Sequence, residues 1–304
     1  MSSSLSWTSK MTLSHLAAAG DPDASNLFRA MGLDADEIID SPATILSKEY
    51  RLTRTALLNM RYNALNATLQ DGPTVVDIPC GLSPRGMLCL RNGRSYLGID
   101  LPPVICSLKE KLPLPDDGEK PSLLRYEAAD ALDPEALLSA VEGCDGELHI
   151  LTEGFLMYLS GEETGRFMEG IARLLSIHGG CFITADPEMS IQNFLTLAAI
   201  CGDDLPEVIK RGFLRKPVSS GETLPEPPSE KSPLMLDVFG DTGQQLESAE
   251  EYLLQFGMKL SRITVSDHLK KPVLPGMLTP KQSEDLFQAM QKVCFWKITL
   301  TSGK

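Results

Sequence analysis

The chain has 304 residues, of which 42% are hydrophobic and 23% charged, and its formal net charge is −13. That length admits one large domain or two small ones, and the negative balance argues against a nucleic-acid surface. No apolar run approaches the roughly 20 residues of a membrane span.

The opening "MSSSLSWTSKMTLSHLAAAG" is Ser-rich and has no solid apolar centre, so no secretory leader is expected and the first 20 or so residues are expected to be flexible. Residues 1–70 otherwise read as a helical segment, with one long helix from about Thr44 to Leu69. Short apolar runs follow at "TVVDI" (74–78), "SYLGID" (95–100), "SLLRYEAA" (122–129), "ELHILTE" (147–153) and "GCFITAD" (180–186). They are nearly all apolar rather than alternating, which predicts parallel strands covered by helices on both faces. Between the last two, Phe167, Ile171, Leu174 and Leu175 fall at helical spacing. Ser160 and Glu163 form a capping-box pattern ahead of that helix, and Gly179-Gly180 ends it.

From about 191 to 243 the repeat breaks, and the Pro- and Ser-rich stretch there predicts a lid insertion. "SAEEYLLQFGMKLSRITVSD" reads as a helix, a Gly turn and a strand, and the chain closes with a helix over 280–292 and the strand "VCFWKITLT". The expected fold is therefore α/β, a doubly wound, mostly parallel sheet of seven strands over residues 71–304.

The seven cysteines are odd in number and scattered without a C-x-x-C pair, so neither a disulfide framework nor a structural zinc site is expected. A cytosolic, metal-free chain is the economical expectation. His149 lies in an apolar run and is read as a hydrogen-bonded core residue.

Chemistry gathers at the strand ends. "TVVDIPCGLSPRG" is a strand running into a glycine-bearing turn, where Gly81 allows close backbone approach to a ligand. Gly81 and Gly86 do not make a G-x-G-x-x-G pattern, which counts against a dinucleotide pyrophosphate site, and Pro84 and Arg85 make the approach bulkier. Asp100 ends the next strand, about twenty residues after Gly81, where an acid can accept from both ribose hydroxyls. Asp130 follows the third strand and Glu153 the fourth. Asp130 also fits a helix N-cap, but acids at successive strand ends, Asp100, Asp130 and Glu153, converging on the carboxyl edge of one sheet suit a cationic adenosine ligand. Arg51, Arg54, Leu58 and Arg61 share one face of the long helix, either as a solvated basic face or as an anion site.

"VVDIPCGLSPRG", "YLGIDLPPVI" and "LTEGFLMYLSGEE" resemble the leucine carboxyl methyltransferase family, which includes polyketide O-methyltransferases, over residues 44–190. That resemblance implies a class I methyltransferase using S-adenosyl-L-methionine. Gly81 would line the methionine end of the cofactor, Asp100 with Leu101 the ribose, and Asp130 with Ala131 the adenine. Glu153 would lie near the cofactor's amino group, tolerated because the ligand is cationic, and Arg61, supported by Lys48, would pair with the cofactor carboxylate. Ser83-Pro84-Arg85 departs from the family's Asp-Thr-Arg, and Asn63 stands where many members have an acid.

No paired His and Asp offers a general base, so the expected reaction is proximity-driven O-methylation of a carboxylate or hydroxyl on a small molecule or peptide. Tyr158, Arg211 and Arg215 are the candidate substrate contacts, the last two within the basic "IKRGFLRK" that could guide an anionic acceptor. The alternatives are a degenerate methyltransferase-like scaffold and an NAD-dependent oxidoreductase.

Overall fold

The computed structural model describes residues 7–34, 48–69, 71–112, 123–206, 231–269, 274 and 276–301. Seven strands are described: β1 (Thr74–Asp77), β2 (Tyr96–Asp100), β3 (Leu124–Ala128), β4 (Leu148–Thr152), β5 (Gly180–Thr184), β6 (Met258–Thr264) and β7 (Cys294–Leu300). They form one sheet in the order β3-β2-β1-β4-β5-β7-β6. Strands β1 to β5 are mutually parallel, while β7 runs antiparallel to both β5 and β6. The expected doubly wound, mostly parallel sheet is what the chain forms.

Every residue of β1, β2 and β4 is buried, because helices cover both faces. Side-chain alternation divides the core in two. Val75, Tyr96, Leu151, Ile183 and Phe295 point to one face, and their neighbours Val76, Leu97, Ile150, Phe182 and Trp296 to the other. The first face carries α1 (Trp7–Ala18), α2 (Pro22–Ala30), α3 (Lys48–Ala67), α4 (Arg85–Arg91) and α5 (Pro102–Lys111). The second carries α6 (Pro134–Ala140), α7 (Gly161–His178) and α9 (Thr242–Leu254). Helix α8 (Met189–Cys201) packs on α3, and α10 (Val265–His268) and α11 (Pro280–Met290) complete the described α-helices.

Local chemistry explains the boundaries. The Ser160 hydroxyl accepts from the Glu163 N–H while the Glu163 carboxylate accepts from the Ser160 N–H, so the predicted capping box starts α7. Gly180 opens β5 at φ +91°, and a Cβ there would overlap the Leu148 carbonyl, so only glycine fits.

Two expectations are corrected. The N-terminal segment is helical from Trp7, and Leu13, Ser14, His15 and Leu16 are buried. Its Ser and Thr residues hide the helical period in the sequence, yet Leu13 and Leu16 join the same core as Leu27 and Leu57. The lid was expected to begin at about 191, but α8 extends to Cys201; its run "MSIQNFLTLAAIC" is apolar on several sides and shows no clean stripe. Residues 207–230, with Lys210, Arg211, Arg215 and Lys216, lie outside the described residues. Among the described residues no helix is long and apolar enough to cross a membrane.

Candidate functional site

The strand order reverses between β1 and β4, and open α/β sheets bind ligands at the carboxyl ends beside such a switch point. The turn after β1 is tied to the end of β2. Cys80 N–H donates to the Ile99 carbonyl at 2.8 Å, and Gly81 N–H donates to Asp100 Oδ2 at 2.7 Å. The other Asp100 oxygen accepts from the Leu101 N–H at 2.7 Å. Burial raises the Asp100 pKa, and these two N–H bonds pull it back. Gly81 has φ +50°, and a Cβ on it would stand 3.1 Å from the Ser9 hydroxyl of α1. The helix that the sequence hides is thus the roof of the glycine turn.

Asp77, Glu153, Arg61 and Arg85 form a buried charge network beneath this turn. Arg85 Nη1 donates to Asp77 Oδ2 at 2.6 Å, Nη2 to Glu153 Oε2 at 3.1 Å and Nε to Asn66 Oδ1 at 2.7 Å. Its guanidinium lies over the Tyr62 ring, 5.4 Å from the centroid, and is only 1% exposed. Burial would lower the Arg85 pKa, but Asp77 and then Glu153 outweigh it and hold the pKa above its ordinary value. The Tyr96 hydroxyl also donates to Asp77, at 3.2 Å. Arg85 was expected to crowd the turn; instead its side chain folds inward and ties α4 to the ends of β1 and β4. Glu153 is tolerated in its apolar run because Arg85 and Arg61 flank it, the Arg61 Nε standing 3.5 Å from Oε1.

Arg61 reaches the site from α3 and is 2% exposed. Its Nη2 donates to Asp186 Oδ1 at 3.1 Å, while its Nε, buried beside Glu153, makes no hydrogen bond among the described residues. Asp186, just past β5, also accepts from the backbone N–H of Gly154 (2.7 Å), Phe155 (2.7 Å) and Leu156 (2.9 Å). One fully buried carboxylate therefore fixes the loop that carries Glu153 and leads into the short helix Leu156–Tyr158. Sequence reading missed Asp186 and Asp77. Asp77 ends β1 and Asp186 lies two residues past β5, close to the signal that drew attention to Asp100.

The remaining candidates fall around this edge. Leu101 is 51% exposed, an apolar surface beside Asp100. Asp130 is exposed and accepts from the Leu132 N–H at 2.9 Å, while Ala131 is buried. The cap of α6 is Asp133, not Asp130. Lys48 is exposed at the start of α3. Tyr158 is half-buried; burial raises its pKa, Arg54 and Arg61 pull it down, and Asp186 pushes it up. His149 is buried in mid-β4, as expected of a core residue, and its Nε2 has no partner among the described residues.

No family model matches the chain, and no curated protein does. Among solved structures it is similar to a DUF574 family protein from Streptomyces avermitilis, at 14% identity and a TM-score of 0.39, covering 96% of this chain and 97% of that one. Human N-acetylserotonin methyltransferase, solved in complex with SAM, is similar at 12% identity and a TM-score of 0.39, covering 95% and 70%. A SAM-dependent methyltransferase from Anabaena variabilis gives 12% identity and a TM-score of 0.39, covering 83% and 93%.

Proposed function

We propose that the chain is an S-adenosylmethionine-dependent O-methyltransferase acting on a carboxylate or hydroxyl of a small molecule or peptide. The observation that carries this reading is the Arg61 guanidinium, buried at the switch point with Nε facing Glu153 and Nη2 bonded to Asp186. A guanidinium held at that edge offers a planar fork of donors that suits a ligand carboxylate.

The other groups fit the same ligand. Gly81 presents a turn without a side chain, and Asp100 keeps lone pairs beyond the two it lends to backbone N–H groups. Leu101 and Ala131 supply apolar surface for an adenine, with Asp130 at its rim. Bound there, S-adenosylmethionine would supply a methyl group already activated on a sulfonium. The protein's own task is then to align an oxygen nucleophile and exclude water. Asp186 serves that task by fixing residues 154–156, and α1 by covering the glycine turn.

Calorimetric titration with S-adenosylmethionine and, separately, with NADH tests the reading. Micromolar binding of the first alone is expected. Binding of NADH would point to an oxidoreductase, and silence from both would favour a scaffold that has lost the cofactor.

A further inference from the structure

Helix α1 is built in two unlike halves. Leu13, Ser14, His15 and Leu16 are buried, whereas Trp7 to Thr12 are half-buried throughout. The buried half is anchored: Leu13 and Leu16 lie in the core with Leu27 and Leu57, and His15 bonds Thr55 of α3 at 2.8 Å. The outer half meets α3 at the Met11 thioether, which accepts from Arg54 Nη1 at 2.9 Å and is a weak acceptor. Its sequence also favours opening. Trp7, Thr8, Ser9 and Thr12 are poor helix formers, and no acidic side chain in the first turn faces the positive end of the helix dipole. Where the halves meet, the Ser14 hydroxyl donates to the Lys10 carbonyl at 2.8 Å, a back-bond that weakens and bends a helix. A segment held this lightly opens at a fraction of the cost of unfolding the whole domain.

That outer half sits on the glycine turn. A Cβ on Gly81 would meet Ser9 Oγ at 3.1 Å and Ser9 Cβ at 3.6 Å, so Ser9 closes the side from which a residue without a side chain can be approached. The turn itself is fixed, because the Gly81 N–H is spent on Asp100 at 2.7 Å. A ligand lying on this turn is therefore walled in by α1 and passes Ser9 only when the outer half lifts. The Ser9 hydroxyl makes no hydrogen bond among the described residues, which leaves it for that ligand.

We propose that Trp7 to Thr12 form a strap, hinged near Ser14, which opens to admit the ligand of the glycine turn and closes with the Ser9 hydroxyl bonded to it. The proposal rests on the methyltransferase reading for the identity of that ligand, S-adenosylmethionine, and on the geometry of α1 for the strap. The unlike halves give the device its two properties. The anchored half returns the strap to one place, and the weak hold of the outer half lets the contacts of a bound ligand decide whether it is shut.

The chain carries its own reporter. It has two tryptophans: Trp7 begins the strap, and Trp296 is 0% exposed in β7, so acrylamide quenching of the emission reads Trp7. With S-adenosylmethionine bound, as calorimetry on the same sample shows, quenching should fall about twofold as the strap closes. Ser9→Ala removes only the hydroxyl and should weaken that binding about fivefold, with quenching of the ligand-free chain unchanged. Ser9→Leu tests the seat without any ligand: the larger side chain cannot lie against Gly81, so Trp7 should be about twofold more quenched than in the parent. Equal quenching with and without bound S-adenosylmethionine, unchanged affinity in Ser9→Ala, or equal quenching in the parent and Ser9→Leu would overturn the proposal. The two readings fail separately: no S-adenosylmethionine bound, while Ser9→Leu frees Trp7, would sink the methyltransferase reading and keep the strap.

Discussion

The Arg85 guanidinium joins the ends of two neighbouring strands, with Nη1 2.6 Å from Asp77 Oδ2 and Nη2 3.1 Å from Glu153 Oε2. Asp77 ends β1 and Glu153 follows β4, and these strands flank the switch point. A charge this deeply buried is stable only while its partners remain, so deleting one member leaves the others uncompensated.

Replacing Arg85 with Met should therefore lower the unfolding free energy by about 3–5 kcal/mol. Arg85→Lys should recover little of it, because an ammonium cannot reach Asp77, Glu153 and Asn66 from one planar fork. Urea denaturation measures both. A loss below about 1 kcal/mol for Met would mean that packing against Tyr62, not the charge network, is what α4 depends on.

Asp100→Ala and Glu153→Ala should each weaken S-adenosylmethionine binding at least tenfold, about 1.4 kcal/mol. Asp100 acts twice in this expectation, as a ligand contact and as the acceptor that fixes the Gly81 and Leu101 N–H groups. Unchanged affinity in both variants, with circular dichroism showing an intact fold, would remove the site from this edge.

Arg61→Ala should weaken the same binding more than Arg51→Ala. Arg61 is 2% exposed with Asp186 and Glu153 within 3.5 Å, whereas Arg51 is only half-buried near the start of α3. Equal losses in the two variants would mean that the helix acts as a diffuse positive field and that no single guanidinium is addressed.

The sheet was legible because its central strands β1, β2, β4 and β5 are nearly all apolar runs bounded by Gly, Pro and acids, a local signal. Asp100 and Glu153 were visible for the same reason, each being a charge at the end of such a run. The partners of Glu153 were not. Arg85 is 68 residues from it in sequence, and the reach of an arginine across a strand switch leaves no periodic trace. Asp186 was hidden differently: it was read as the end of β5, and only the fold brings it to the N–H groups of 154–156. Helix α1 escaped notice because its Ser and Thr residues break the apolar period, while the contact that seats it on α3 is a polar one, His15 with Thr55, which composition does not report.

That His15–Thr55 contact makes stability depend on pH in a defined direction. The Thr55 hydroxyl donates to the Arg51 carbonyl at 3.0 Å, so it accepts from His15, and the Nδ1–H of the imidazole lies on the 2.8 Å bond between them. Burial, and then the charge of Arg54, lower the His15 pKa to about 4, against an ordinary value of 6.5. The unfolded chain therefore binds a proton that the folded one refuses between those values. The contribution is fully present above about pH 6.5, is lost as pH falls towards 4, and changes no further below that. By pH 5 the loss should be about 2 kcal/mol. His149, also lowered to about 4 by burial and then Lys297 and Arg94, adds a loss of the same sign. Asp100, whose pKa burial raises, works in the opposite sense at lower pH and is common to parent and variant. His15→Asn keeps a donor for Thr55 but cannot titrate. Urea denaturation at pH 7.5 and pH 5 should thus show a smaller drop for His15→Asn than for the parent, by about 2 kcal/mol. Parallel drops in the two proteins would mean that His15 takes up its proton in the folded chain at an ordinary pH, and that α1 lifts from α3 readily enough to let it.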